Sequence, residues 1–178
     1  MVSDGPPAVL FDEASLAARI EHMAREIAGA DPRDLIAIPI MTGAFVFAAD
    51  LLRALHRAGL APEVDFLQVA SYGAGTKPSG QMEMMRELRA RVEDRDVLLI
   101  DDILETGRTL AFAQRLLIER GARRVMIAAL LEKPHKKEIA VHADFVGFSC
   151  PDRFVVGYGM DHAGFYRQLP FVGTLDGV

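Results

Sequence analysis

Apolar positions along the chain follow two rhythms, one of three to four residues and one of short unbroken runs. From Glu13 to Ala28, Leu16, Ile20, Met23 and Ile27 share one face of a predicted helix, and Asp31-Pro32 ends it. Ala44 to Gly59 reads as a second helix behind a tight Thr42-Gly43 turn. A third runs from about Thr109 to Arg120, with Leu110, Ala113 and Leu117 inward and Gly121 as its stop. Leu35 to Met41 reads as a buried strand, although Pro39 is awkward for a central one. Val64 to Tyr72 is another strand, Gly73 to Gly80 a flexible loop, and Gln81 to Ala90 a strand returning from it. Val97 to Ile100 is continuously apolar, as in a strand of a parallel sheet covered on both faces. Arg124 to Lys133 follows, and Asp144 to Phe148 and Phe154 to Gly159 are late short strands.

Strands alternating with helices predict an α/β fold: a mainly parallel central sheet flanked by helices. We read one domain over residues 1–178. Its core spans about 13–135, and 136–178, which has little helical period, forms most of a small hood.

Composition narrows the function classes. The 178 residues suit one domain with a real core, and 51% hydrophobic with 25% charged residues is ordinary for a soluble protein. A formal net charge of -5 argues against broad binding of nucleic acid or anionic membrane. The single cysteine, Cys150, excludes an internal disulfide and reads as a buried bystander. The N-terminus has no basic leader, and no apolar run is long enough to span a membrane, so a cytoplasmic protein is expected.

VLLIDDILETGRTL, from Val97 to Leu110, carries the candidate chemistry. In open α/β sheets ligands bind beyond the carboxyl ends of the strands, where Asp101 and Asp102 fall. Thr106-Gly107-Arg108-Thr109 then opens a helix, whose free N–H groups and positive dipole end suit a phosphate. The carboxylates beside it are placed for ribose hydroxyls or Mg²⁺. Two acids alone would read as turn and cap residues. The preceding strand, the third acid Glu105 and the T-G-x-T start favour the functional reading. Competing motifs fail: there is no G-x-x-x-x-G-K-[ST], and Gly73-Ala74-Gly75 meets Pro78 where a third glycine belongs. The five histidines lack zinc spacing, and His162, beside Asp161, reads as a surface residue bordering a site.

The motif resembles the phosphoribosyl-diphosphate (PRPP) signature of type I phosphoribosyltransferases. IPIMTGAFVFAADLLRAL, VASYGAGTKPSG, LLEKP and DFVGFSCPDRFVVGYGMDHAGFYRQLPFVGTL resemble, in order, segments of the hypoxanthine-guanine phosphoribosyltransferases over about residues 35–175. The resemblance implies that fold, and transfer from PRPP to a purine with Mg²⁺ required. It implies that Asp101 and Asp102 hold the ribose hydroxyls, directly or through Mg²⁺, and that Thr106, Gly107, Arg108 and Thr109 cradle the 5′-phosphate. Thr42 and Gly43 would present backbone to pyrophosphate, Arg167 its side chain, and Asp161 would bind a second Mg²⁺. Lys133 would donate to the purine 6-oxo group, Phe154 would stack on the base and Val155 would meet it through backbone. Ser71 and Tyr72 would lie on a loop that closes over the reacting centre, and a homodimer or homotetramer is implied. Taken singly, Lys133 reads as a solvated lysine, Phe154 as core and Arg167 as surface; only their joint order lifts them.

Two departures stand out. The third acid of the signature is usually aspartate, placed as general base toward a purine ring nitrogen, and here it is Glu105. Thr42 stands where lysine is common. A 6-oxopurine is the leading substrate; xanthine, another base, or a non-catalytic nucleotide sensor are the alternatives.

Overall fold

The computed structural model describes residues 6–71, 82–86 and 88–175. Helix α1 (Glu13–Gly29) starts where the Asp12 side chain accepts a hydrogen bond from the Ser15 N–H at 2.8 Å. Its apolar stripe, Leu16, Ile20, Met23 and Ile27, is buried as its spacing predicts. Helices α2 (Phe45–Arg57) and α3 (Arg108–Glu119) follow, and Gly59 and Gly121 just beyond them take positive φ.

Among the described residues ten strands form two sheets. After β1 (Ala8–Phe11), the main sheet is built from β2 (Ile36–Met41), β3 (Glu63–Val64), β4 (Leu67–Ser71), β5 (Met82–Arg86), β6 (Asp96–Leu104), β7 (Arg124–Glu132) and β8 (Phe145–Ser149). Its order is β5-β4-β2-β6-β7-β8, with β3 also pairing β2, and every pair is parallel except β4 with β5. Alternate residues of β6 serve opposite faces: Leu98 and Ile100 pack with α1 and α2, Val97 and Leu99 with α3. This is why Val97 to Ile100 is apolar without a break.

Pro39 sits in the middle of β2, opposite Ile100 of β6. The carbonyls of Leu35 and Ala37 accept from Glu63 and Asp65, so by strand alternation position 39 faces the same side. There the neighbouring strand is interrupted between Val64 and Leu67, and the missing N–H leaves no ladder bond broken. At the interruption Asp65 accepts backbone hydrogen bonds from Phe66, Arg89 and Ala90.

The hood differs from the expected 136–178 segment in two ways. Its sheet, β1-β10-β9 with β9 (Val155–Val156) and β10 (Val172–Thr174), recruits β1 from the other end of the chain. Conversely β8 leaves the hood and pairs in parallel with β7, Ala128 opposite Phe145. Both were hidden because a short strand carries no period of its own; its partner, for β1 at the far end of the chain, decides its sheet. Arg19 of α1 lies along this edge and donates to the Val146 and Gly147 carbonyls at 2.6 and 3.0 Å.

Candidate active site

The site lies at the carboxyl ends of β2, β6 and β7. Strand β6 continues past Ile100, so Asp101 and Asp102 are strand residues, with Asp101 opposite Ala129. Asp101 is buried and Asp102 half-buried. Burial, and then the neighbouring Asp102 charge, push the Asp101 carboxyl well above the usual carboxylate range. Burial raises Asp102 as well, against hydrogen bonds and the Arg167 charge that favour its anion. Two adjacent carboxyls with raised proton affinity are a place where cationic or hydroxyl-bearing ligands are favoured. Among the described residues no three His, Cys, Asp or Glu side chains form a metal cluster. A cation here would draw its remaining ligands from substrate and water, which is the habit of Mg²⁺.

The turn after β6 opens α3 without a side-chain cap. Gly107 takes φ 82°, and a Cβ there would lie 2.7 Å from Val141 Cγ1 and 2.9 Å from the Ile139 carbonyl oxygen. The Thr106 carbonyl accepts from the Glu138 and Ile139 N–H groups at 3.0 and 3.1 Å, so residues 138–141 brace the turn from behind. Thr106, Gly107 and Thr109 line a cavity of about 310 Å³ together with Asp101, Asp102 and Gly43. Arg108 does not line it; its guanidinium pairs with Glu138 at 2.5 Å. Its place in the cradle is that of a helix-start backbone, and its charge is directed to Glu138.

Thr42-Gly43 follows β2, across a cis Met41–Thr42 peptide bond. Gly159, at φ 102°, packs on this turn, and a Cβ on it would meet the Gly43 carbonyl oxygen at 2.3 Å. Arg167 donates to the Gly159 carbonyl at 2.6 Å and pairs with Asp161 at 2.7 Å. Asp161 also accepts from the Gly164 N–H, so both its oxygens are engaged and its visible task is to hold Arg167.

A second cavity of about 710 Å³ shares Gly43, Asp102, Ile103 and Glu105 with the first. Lys133, Phe154, Val155, Asp161 and Arg167 line it too. Lys133, 5% exposed at the end of β7, reaches Glu105 Oε1 at 3.3 Å. Phe154 is 38% exposed, with the His162 ring edge-on at 5.2 Å, and Val155 is held by its pairing with Thr174. Ser71 ends β4 opposite Met82, and Tyr72 lies outside the described residues.

Sequence reasoning missed Lys136 and Asp152, which line the cavity. Each sits in a polar stretch, PHKK and CPDR, where a charged residue carries no spacing signal. They meet because the parallel pairing of β7 and β8 brings the chain after each strand to the same edge.

A parallel sheet that delivers adjacent carboxylates beside an uncapped glycine turn defines a class, the α/β proteins built to hold a phosphorylated ligand at the sheet's carboxyl edge. Within that class the chain belongs to the phosphoribosyl transferase domain family, which matches residues 10–163. It is 36% identical to the hypoxanthine phosphoribosyltransferase of Escherichia coli K12 over 94% of both chains. It is 42% identical to the hypoxanthine-guanine phosphoribosyltransferase of Staphylococcus epidermidis, over 80% of this chain and 78% of that one. The bifunctional protein TilS/HprT of Listeria innocua is also 42% identical, over 94% of this chain, which spans 26% of that protein's length. A solved structure of a glutamic acid mutant, from an analysis of an invariant aspartic acid in HPRTs, superposes with a TM-score of 0.88. It is 34% identical and covers 94% of both chains.

Proposed function

We propose that this protein transfers the phosphoribosyl group of PRPP to hypoxanthine and guanine, giving the nucleoside 5′-monophosphate and pyrophosphate. The observation that carries this reading is one cavity where Lys133, Glu105 and Phe154 converge beside Asp102, joined to the Gly107 turn. The relatives' hypoxanthine and guanine activities favour it over xanthine or a sensor.

In this mechanism the 5′-phosphate sits on the N–H groups at the start of α3, with Thr106 and Thr109 hydroxyls beside it. Asp101 and Asp102 take the ribose hydroxyls. The purine stacks on Phe154, bonds to the Val155 backbone and receives Lys133 at its 6-oxo group. Cleavage of the bond from C1′ to pyrophosphate builds positive charge on the sugar, as in glycoside cleavage. Backbone at Thr42-Gly43 and the Arg167 guanidinium stabilise the negative leaving group. Glu105 takes the purine ring proton as the new bond to C1′ forms. Ser71 and Tyr72 belong to the segment that excludes water from the reacting sugar.

Asp101 and Asp102, and at a second position Asp161, would hold Mg²⁺, which would supply charge neutralisation to PRPP and pyrophosphate. The resemblance also carries a homodimer or homotetramer working in the cytoplasm; no helix among the described residues is long and apolar enough to cross a membrane.

The test offers hypoxanthine, guanine, xanthine and adenine separately to purified protein with PRPP and Mg²⁺. Turnover of the first two, abolished by EDTA, is expected. Bound nucleotide without turnover of any base overturns the reading in favour of a sensor.

A further inference from the structure

Glu105 is longer by one methylene than the aspartate usual at its place in the signature, and its carboxylate is not left to find its own position. Both of its ion pairs are made by one oxygen. Oε1 receives Lys133 Nζ at 3.3 Å and Lys136 Nζ at 3.2 Å. Lys136 is in turn held by Asp152 Oδ1 at 2.7 Å. All four residues line the cavity that also holds Phe154 and Val155. Among the described residues no ion pair or hydrogen bond engages Glu105 Oε2.

We propose that Lys136, itself fixed by Asp152, is a positioning residue that clamps Glu105 Oε1 and so presents Oε2 to the purine ring nitrogen. The inference rests on the reading of Glu105 as the base. Lys133 alone cannot fix the carboxylate, because one contact leaves the extra methylene free to swing. A second ammonium on the same oxygen, arriving from the helical turn at Pro134–Lys136, removes that freedom. The clamp bridges two chain segments, since Asp152 lies beyond β8. A misplacement of about an ångström in a catalytic group can cost ~10²-fold in rate, so a device that prevents part of it has a measurable effect. Lys136 and Asp152 keep exposed side chains, 42% and 59%, so the fold does not depend on them.

The experiment measures kcat and both KM values for purine transfer in Lys136→Met, Lys136→Arg, Asp152→Asn, Glu105→Gln and Lys136→Met/Glu105→Gln. Lys136→Met is expected to lower kcat ~10-fold, with KM for PRPP within about twofold of the parent. Lys136→Arg keeps most of the rate, and Asp152→Asn shows a smaller loss in the same direction. In the Glu105→Gln background, Lys136→Met is expected to cost no more than about twofold further, because the group it positions is gone. An undiminished kcat in Lys136→Met overturns the proposal, as does a full ~10-fold loss repeated on top of Glu105→Gln. A Glu105→Gln enzyme with parental kcat removes the base itself, and with it the clamp's purpose. Absence of turnover in the parent protein overturns the proposed function and the clamp together.

Discussion

Gly43 presses so closely on Asp102 that a Cβ at position 43 would lie 1.8 Å from Asp102 Oδ2 and 2.7 Å from its Cγ. The backbone proposed to meet pyrophosphate and the carboxylate proposed to meet ribose are therefore in close contact, with no room for a side chain between them. Gly43→Ala is expected to lower kcat/KM for PRPP by ~10²-fold or more, the scale of an ångström's misplacement. Steady-state kinetics with varied PRPP checks it, and parental kcat/KM would show that the turn can yield.

Gly107 makes a comparable demand at the turn proposed to hold the phosphate. Alanine there meets both a positive φ and the brace at Ile139 and Val141. Gly107→Ala is expected to raise KM for PRPP and to lower thermal stability, by about 1–3 kcal/mol for the strained backbone. Calorimetry together with PRPP titration separates the two effects; an unchanged KM would place the phosphate elsewhere.

Glu105→Gln keeps the size of the side chain and removes its ability to accept a proton. A loss of kcat of ~10²-fold or more is expected, within the usual contribution of a general base. Glu105→Asp restores the charge but shortens the reach to Lys136, and is expected to fall between parent and Gln. Equal kcat in parent and Gln variants would assign the base elsewhere.

Asp96, at the other end of β6, is fully buried and accepts from the Arg33 N–H, Arg123 and Arg124 at 2.9, 2.5 and 2.8 Å. Burial alone would raise its pKa, but the Arg33 N–H and the charges of Arg124 and Arg123 outweigh it and hold the carboxyl below its ordinary 3.8. A depressed folded-state value means that the stabilisation is complete above that ordinary, unfolded-state value and is lost as pH falls through the folded one. Asp96→Asn is expected to cost about 1–3 kcal/mol at neutral pH, the scale of lost hydrogen bonds to a charged group with Arg123 and Arg124 left partly exposed, and progressively less below about pH 4. Urea unfolding across pH tests this; a penalty that does not shrink in acid would refute the assignment.

Helix positions, the apolar central strand and the glycine turn that opens α3 were legible because each is a local signal. Leu16, Ile20, Met23 and Ile27 need only a 3.6-residue period, and the start of α3 needs only small residues after an apolar run. Asp101 and Asp102 were legible for the same reason, since they end that run. What the amino-acid order alone determined about this protein is thus its α/β class, its three helices with the buried faces of the first and third, and the glycine turn that opens α3. The tertiary structure alone decided that β1 joins the hood and β8 the main sheet, that Pro39 faces an interrupted partner, and that Arg108 turns to Glu138. It also decided that Lys136 and Asp152 meet at Glu105. These are pairings between residues apart along the chain, and no local period encodes them; they exist only once the strands have paired into their sheets and, at the site, once parallel strands bring their carboxyl ends to one edge.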